Sequence, residues 1–201
     1  RCALYEYIEG TNISSDSLNE SDIDQLAGFA VRLKGMARCQ GSIALPLAAE
    51  SCFTGDAIVA NIKVRLDGLR PADGLYPELG KFLKEEFSPT LEEVVEWSRT
   101  FVSVHGLGSS TVVAMDQRTL SPSDFGFHNA IKKPDGRIVF LDFEHFGWDD
   151  PAKMVSDFLL HPAMDLSEAH KRRFLTGVLD RFHSGPTLAR RIEAVYPLFG
   201  L

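Results

Sequence analysis

A Pro134-Asp135-Gly136 turn set between two apolar runs is the feature that most limits what this chain can become. Proline presets the backbone for the turn, and glycine accepts the left-handed conformation that closes it. The flanking runs, Ala130-Ile131 and Ile138-Val139-Phe140-Leu141, therefore return on each other as an antiparallel ribbon. Asn129 stands just before the first strand and Asp142 closes the second, so both emerge at the same end of the ribbon. The loop leading in carries Asp124, and Asp142 opens the triplet Asp142-Phe143-Glu144. Oxygen donors gathered at one place in this way are what a magnesium ion shared with phosphate groups requires.

Charge and composition narrow the partners. With 201 residues the chain is long enough for one substantial core, and 44% hydrophobic with 24% charged residues is an ordinary globular balance. A net charge of −7 argues against nucleic acid, whose phosphates are bound by Lys and Arg. It leaves a cationic substrate open beside a plain solubility role. Cys2, Cys39 and Cys52 form no Cys-x-x-Cys and no zinc spacing, so they read as buried thiols in a reducing cytoplasm. No apolar run approaches the length of about 18 residues that spans a bilayer, which argues against a membrane partner. Neither a zinc-protease His-Glu-x-x-His nor a Gly-x-Ser-x-Gly nucleophile turn occurs.

Around the ribbon the chain resembles the aminoglycoside phosphotransferase and choline kinase superfamily, enzymes with a protein-kinase-like fold. The catalytic loop of that superfamily reads Asp, four residues, Asn, matched by Asp124 and Asn129; its metal segment, beyond a short hairpin, reads Asp-[Phe/Trp]-Glu, matched by Asp142-Phe143-Glu144. The superfamily usually has a Gly and then Asp-Pro after that segment, matched by Gly147 and Asp150-Pro151. Two motifs in order across a hairpin are far more specific than either alone. The chain departs from the pattern at Pro122 and Ser123, where the superfamily has His and Gly, and at Gly126-Phe127-His128 before the Asn.

The resemblance implies a phosphotransferase that uses ATP and Mg2+ and acts on a small-molecule hydroxyl substrate such as an aminoglycoside, amino sugar, choline-like alcohol or cell-surface sugar. Asp124 would orient the acceptor hydroxyl and take its proton, while Asn129 and Asp142, with Glu144 as a further donor, would hold the metal. The plainer alternative is an Asx turn at Asp124 and turn capping at the hairpin mouth. A catalytically silent kinase-like binding module is the alternative function. His128, His145 and His161 are ambiguous between packing and ligand contact.

Arg1–Gly10 reads as a strand ending in a Glu-Tyr-x-x-Gly type turn. By resemblance this is the hinge, where the Glu6 carbonyl and the Ile8 amide would meet the adenine edge. The expected fold is therefore α+β and mainly helical, a kinase-like C-terminal lobe over 1–201 with the catalytic and metal-binding hairpin at 120–151, and no N-terminal lobe in this stretch. Gly106–Thr111 lacks the third glycine of a phosphate loop, and Lys63 falls within a helical pattern of Ile58, Ile62, Leu66 and Leu69. Helices are expected from Ser21 or Asp22, from Thr54 to Leu69, from Tyr76 to Phe87, and from a Thr90/Glu93 capping box. Further helices start after Pro151, Ser167 and Thr187, the last ending near Tyr196-Pro197. The Thr90 helix is expected to be the central one of the lobe, and Asp157 to face the catalytic loop.

Overall fold

A computed structural model describes residues 6–72, 74–108, 110–182 and 185–201. Arg1–Tyr5 of the expected hinge strand, and with them Cys2, lie outside the described residues, as do Asp73 and Ser109. In chain order the elements are β1 (Thr11–Asn12), α1 (Glu20–Met36), α2 (Gly55–Leu69), α3 (Pro77–Phe82), α4 (Ser88–Val104), β2 (Thr119–Ser121), β3 (Ala130–Lys132), β4 (Ile138–Phe140), β5 (Gly147–Asp149), α5 (Pro151–Leu160), α6 (Glu168–Leu179) and α7 (Gly185–Phe199). The molecule is mainly helical with two small antiparallel sheets.

The ribbon forms where the turn residues place it. Ile131 pairs with Val139, Lys132 with Ile138 and Ala130 with Phe140, and Gly136 takes a left-handed φ of 83° at the turn. β1 adds a third strand on the other edge of β3. Before it, residues 6–10 carry no regular strand, and the rest of the expected hinge strand lies outside the described residues. Gly10 passes so close to β3 that a Cβ there would lie 2.5 Å from the Lys132 carbonyl oxygen.

Helix α1 holds the ribbon from one side. Its cap is Asn19, whose side chain accepts from the Asp22 amide while Asp22 returns a bond to the Asn19 amide. Ser21 and Asp22, the expected caps, are inside the helix, because this reciprocal pair satisfies two amide donors at once. Asp22 is buried and also receives Lys132 of β3 at 2.7 Å. One turn on, Gln25 grips the hairpin with both ends of its amide: Nε2 donates to the Gly136 carbonyl at 3.0 Å, and Oε1 accepts from the Ile138 amide at 2.9 Å.

The second sheet pairs β2 with β5, placing Leu120 opposite Trp148 and Ser121 opposite Gly147. Residues 46–48 pack against β5 so tightly that a Cβ on Gly147 would collide with the Pro46 carbonyl oxygen, so only glycine fits.

Helix α5 is the centre of the core. Met154, Val155, Phe158 and Leu159, which repeat at helical spacing, are all buried, and so is Ala152. Phe158 packs against Phe174 of α6 at 4.1 Å and Phe125 of the Asp124 loop at 5.3 Å between ring centres. Truncating such a ring costs about 3–5 kcal/mol. Helix α4 was expected in this role, yet only its Leu91, Val95 and Ser98 are buried, and Val104 is 77% exposed.

α3 runs through a π turn at Leu83–Phe87 directly into α4. Thr90 therefore does not cap: it lies within a continuing helix and donates its hydroxyl to the Glu86 carbonyl. Thr54 and Ser167 do cap α2 and α6. α7 begins before Thr187 and continues through Pro197 to Phe199. Cys52 is buried as read, whereas Cys39 is exposed at the end of α1. Among the described residues, no helix is long and apolar enough to cross a membrane.

Candidate active site

The loop that carries Asp124 leaves β2 at Ser121 and bends at Ser123, which holds a left-handed φ of 73°. Ser121 Oγ accepts from the Ser123 amide at 3.0 Å, and Ser123 Oγ donates to the Ala49 carbonyl at 2.9 Å. Those two bonds keep a non-glycine residue in a conformation that sterics disfavour. Position 123 is also where the superfamily pattern has glycine. Phe125 and Phe127 are both buried, so the backbone between them is pinned to the core while Asp124 and His128 turn outward.

The Asp124 side chain is 52% exposed, yet it is held at both oxygens. His128 Nε2 lies 2.8 Å from Oδ1, and the Asn129 amide Nδ2 donates to Oδ2 and to the Asp124 backbone carbonyl, each at 3.1 Å. His161, from the end of α5, brings its Nε2 to 3.4 Å from the same Oδ1 and stacks on His128 at 4.3 Å. Burial raises the Asp124 pKa, but the bond from His128 and its charge, with Asn129 and His161, outweigh burial and hold the carboxyl below its ordinary value. Burial together with the neighbouring His128 lowers His161.

Asn129 joins this loop to the ribbon, because its carbonyl oxygen accepts from the Leu141 amide at 2.8 Å. Asp142 is the next residue, exposed and with a left-handed φ of 60°, a conformation that costs a non-glycine residue about 1 kcal/mol or more. The structure thus joins Asp124 and Asn129 directly and sets Asp142 one residue past the backbone bond. Glu144 is not carried along an extended strand: the chain turns at Glu144–His145, and its carboxylate lies 3.4 Å from His145 Nε2. Glu6 is exposed and Ile8 half-buried in the irregular segment before β1.

Among the described residues, Asp124, His128 and His161 offer ligand atoms within 4.8 Å of one another. That mixed nitrogen and oxygen set is foreign to magnesium, which takes oxygen donors. The Asn129 side-chain carbonyl and the Asp142 carboxylate are oxygen donors of the right kind. Because Asn129 uses only Nδ2 on Asp124, its Oδ1 is left for another partner.

A cavity of about 710 Å³ opens beside Asp124, between α2, the α3 and π-turn segment, and the ends of α5 and α7. Asp157 reaches this cavity, as expected of its place on α5, and so does Lys153. Lys153 is buried between Asp157 at 2.5 Å and Asp149 at 3.5 Å. Burial pushes Asp149 up to about 7, against the opposing pull of Lys153. No local motif links Lys153 or His161 to Asp124. Only the packing of α5 brings them there.

The architecture has known counterparts. Solved aminoglycoside phosphotransferases superpose on it: APH(2'')-Ib bound to ADP, with a TM-score of 0.54 and 19% identity, and APH(2'')-IIa in complex with gentamicin, with 0.55 and 20%. A ternary complex of APH(2'')-IIa with streptomycin and ATP gives 0.54 and 19%. In each case the match covers 93% of this chain and 58% of the solved chain. No family model and no curated protein sequence matches. The fold is that of the C-terminal lobe of an aminoglycoside phosphotransferase, within the protein-kinase-like architecture, and the chain spans somewhat over half the length of those solved proteins.

Proposed function

We propose that this chain supplies the acceptor and metal-binding half of an ATP-dependent phosphotransferase that modifies a hydroxyl of a small molecule. The observation that carries the reading is the position of Asp124: its carboxylate lies on the cavity wall while Asn129 ties it to the ribbon that ends in Asp142. A hydroxyl in the cavity would donate to Asp124, which, held below its ordinary pKa, is ionised at neutral pH. As a weak base it mainly orients the hydroxyl and takes the proton late in the transfer. Asn129 Oδ1 and Asp142 would hold magnesium, with Glu144 as a further donor after rotation away from His145. Bound magnesium would neutralise charge on the nucleotide phosphates. The Glu6 carbonyl and Ile8 amide would meet the adenine edge.

One observation favours the second reading, a silent binding module. Oδ1 of Asp124 is already engaged by His128, with His161 close by, so an acceptor hydroxyl has to displace one of them or use Oδ2. The test is phosphate transfer from labelled ATP by the full-length protein across hydroxylated acceptors. Transfer that disappears in Asp124→Asn supports the enzyme; nucleotide binding without transfer to any acceptor supports the module.

A further inference from the structure

Among the described residues, two of the three carboxylates on the cavity wall are paired with a cation: Glu50 with Arg65 and Asp157 with Lys153. Asp124 is held instead by hydrogen bonds with His128 and Asn129. The further carboxylate behind Lys153, Asp149, is fully buried, and burial favours its neutral form. A polycationic amino sugar needs the opposite, because each ammonium it buries requires an anion free to pair with it. Here Glu50 and Asp157 could pair only by giving up the cation each already holds, and Asp124 is the group that the acceptor hydroxyl uses.

The rest of the wall is mostly apolar. Ile62, Leu66, Leu79, Leu83 and Phe87 contribute, and Leu69 and Phe82 are 47% and 46% exposed. Exposed apolar side chains gathered round a concavity mark a surface that a ligand covers. At about 710 Å³ the space suits a drug-sized molecule, and a choline-sized alcohol would leave most of it empty.

Building on the phosphotransferase reading, we infer that the acceptor is a neutral amphiphilic alcohol, with an apolar body lying against α2 and the α3 and π-turn segment and its hydroxyl at Asp124. In the transfer, the acceptor oxygen forms a bond to the γ-phosphorus of the nucleoside triphosphate as the bond to the bridging oxygen breaks. The nucleoside diphosphate departs with that electron pair, and the hydroxyl proton passes to Asp124. The overall negative charge of the chain therefore does not by itself call for a cationic acceptor, because two of the three wall carboxylates already hold a cation.

Titration calorimetry on the full-length protein separates the classes, using n-octyl β-D-glucoside below its micelle concentration, glucose and gentamicin as probes. The expected result is that the octyl glucoside binds with a negative heat-capacity change and little dependence on salt, while glucose and gentamicin bind at least about tenfold more weakly. Phe82→Asp and Leu69→Asp, at half-exposed positions that leave the fold intact by circular dichroism, weaken the octyl glucoside by about tenfold or more. Gentamicin binding more tightly in a salt-sensitive way, no binding of the octyl glucoside, or unchanged affinity in both folded variants would each overturn the inference. The phosphotransferase reading is judged separately, by phosphate transfer in Asp124→Asn: octyl glucoside binding without any transfer would leave the acceptor class standing as ligand class and remove the catalysis.

Discussion

Asn129 holds Asp124 with a single amide nitrogen, which donates to the carboxylate and to the backbone carbonyl of the same residue at 3.1 Å each. The loop between them closes into a ring that fixes the carboxylate in direction as well as in place. The other end of the Asn129 side chain stays available, so one residue can orient the proposed base and offer an oxygen to a cation.

Replacing Asp124 by Asn keeps the shape of the ring and removes the proton acceptor. Turnover by the full-length protein is expected to fall by about 10²–10⁴-fold with nucleotide affinity nearly unchanged. Steady-state kinetics beside nucleotide titration check this, and full activity in the variant would move the base elsewhere.

Asp142 and Glu144 separate more sharply in the structure than their motif suggests. Asp142→Ala should abolish magnesium-dependent nucleotide binding, because magnesium takes only one or two carboxylates from protein. Glu144→Ala should weaken it by less than about tenfold, since that carboxylate rests against His145 in an exposed turn. Nucleotide titrations with and without magnesium distinguish the two; equal losses would show that Glu144 swings in.

Asp150 is fully buried, caps α5 through the Ala152 amide at 2.9 Å, and pairs with Arg191 of α7. Asp150→Ala removes the cap and leaves a guanidinium that is only 15% exposed without its anion. The expected loss of stability is about 3–5 kcal/mol, read as a lower urea midpoint. A loss under about 1 kcal/mol would mean that Arg191 escapes to solvent.

Asp149 gives the fold a pH dependence of predictable sign. Its pKa rises from 3.8 to about 7 on folding, so between those values the native state binds the extra proton. Stability from this group is full below 3.8 and is lost as pH rises through about 7. Asp149→Asn keeps an oxygen for the Asp150 amide but cannot titrate. Relative to the parent, the variant should gain stability from about pH 5 to pH 8 in urea melts; a parallel pH profile in the two proteins would contradict the assignment.

Strong local signals explain what the sequence made readable. Pro134-Asp135-Gly136 located the ribbon, helical spacing found the buried faces of α1 and α5 but of α2 only Ile58 and Leu66, since Leu69 is exposed, and Thr54 and Ser167 marked real caps. The pairing of β2 with β5 escaped notice because each strand has three residues, too few for an alternating pattern. Ser88-Pro89-Thr90 looked like a helix start because proline forbids the ordinary bond to the fourth preceding carbonyl; a π turn just before it absorbs the ring and lets the helix run on. His161 and Lys153 join the site only through the packing of α5, which no local spacing encodes. The residues proposed as base and metal donors lie in local motifs, whereas the pairing of Glu50 with Arg65 and of Asp157 with Lys153 lies in no such motif.

The two-ended grip of Gln25 on the hairpin has a mechanical meaning. A side-chain amide bonded to both Gly136 and Ile138 ties the turn end of the ribbon to α1, while the spacing of Asn129 and Asp142 at the other end is held by the ribbon's own Leu141–Asn129 bond. A shift of α1, imposed by a ligand or by a neighbouring domain, would therefore carry the ribbon with it as a body, moving both residues together and leaving their separation unchanged.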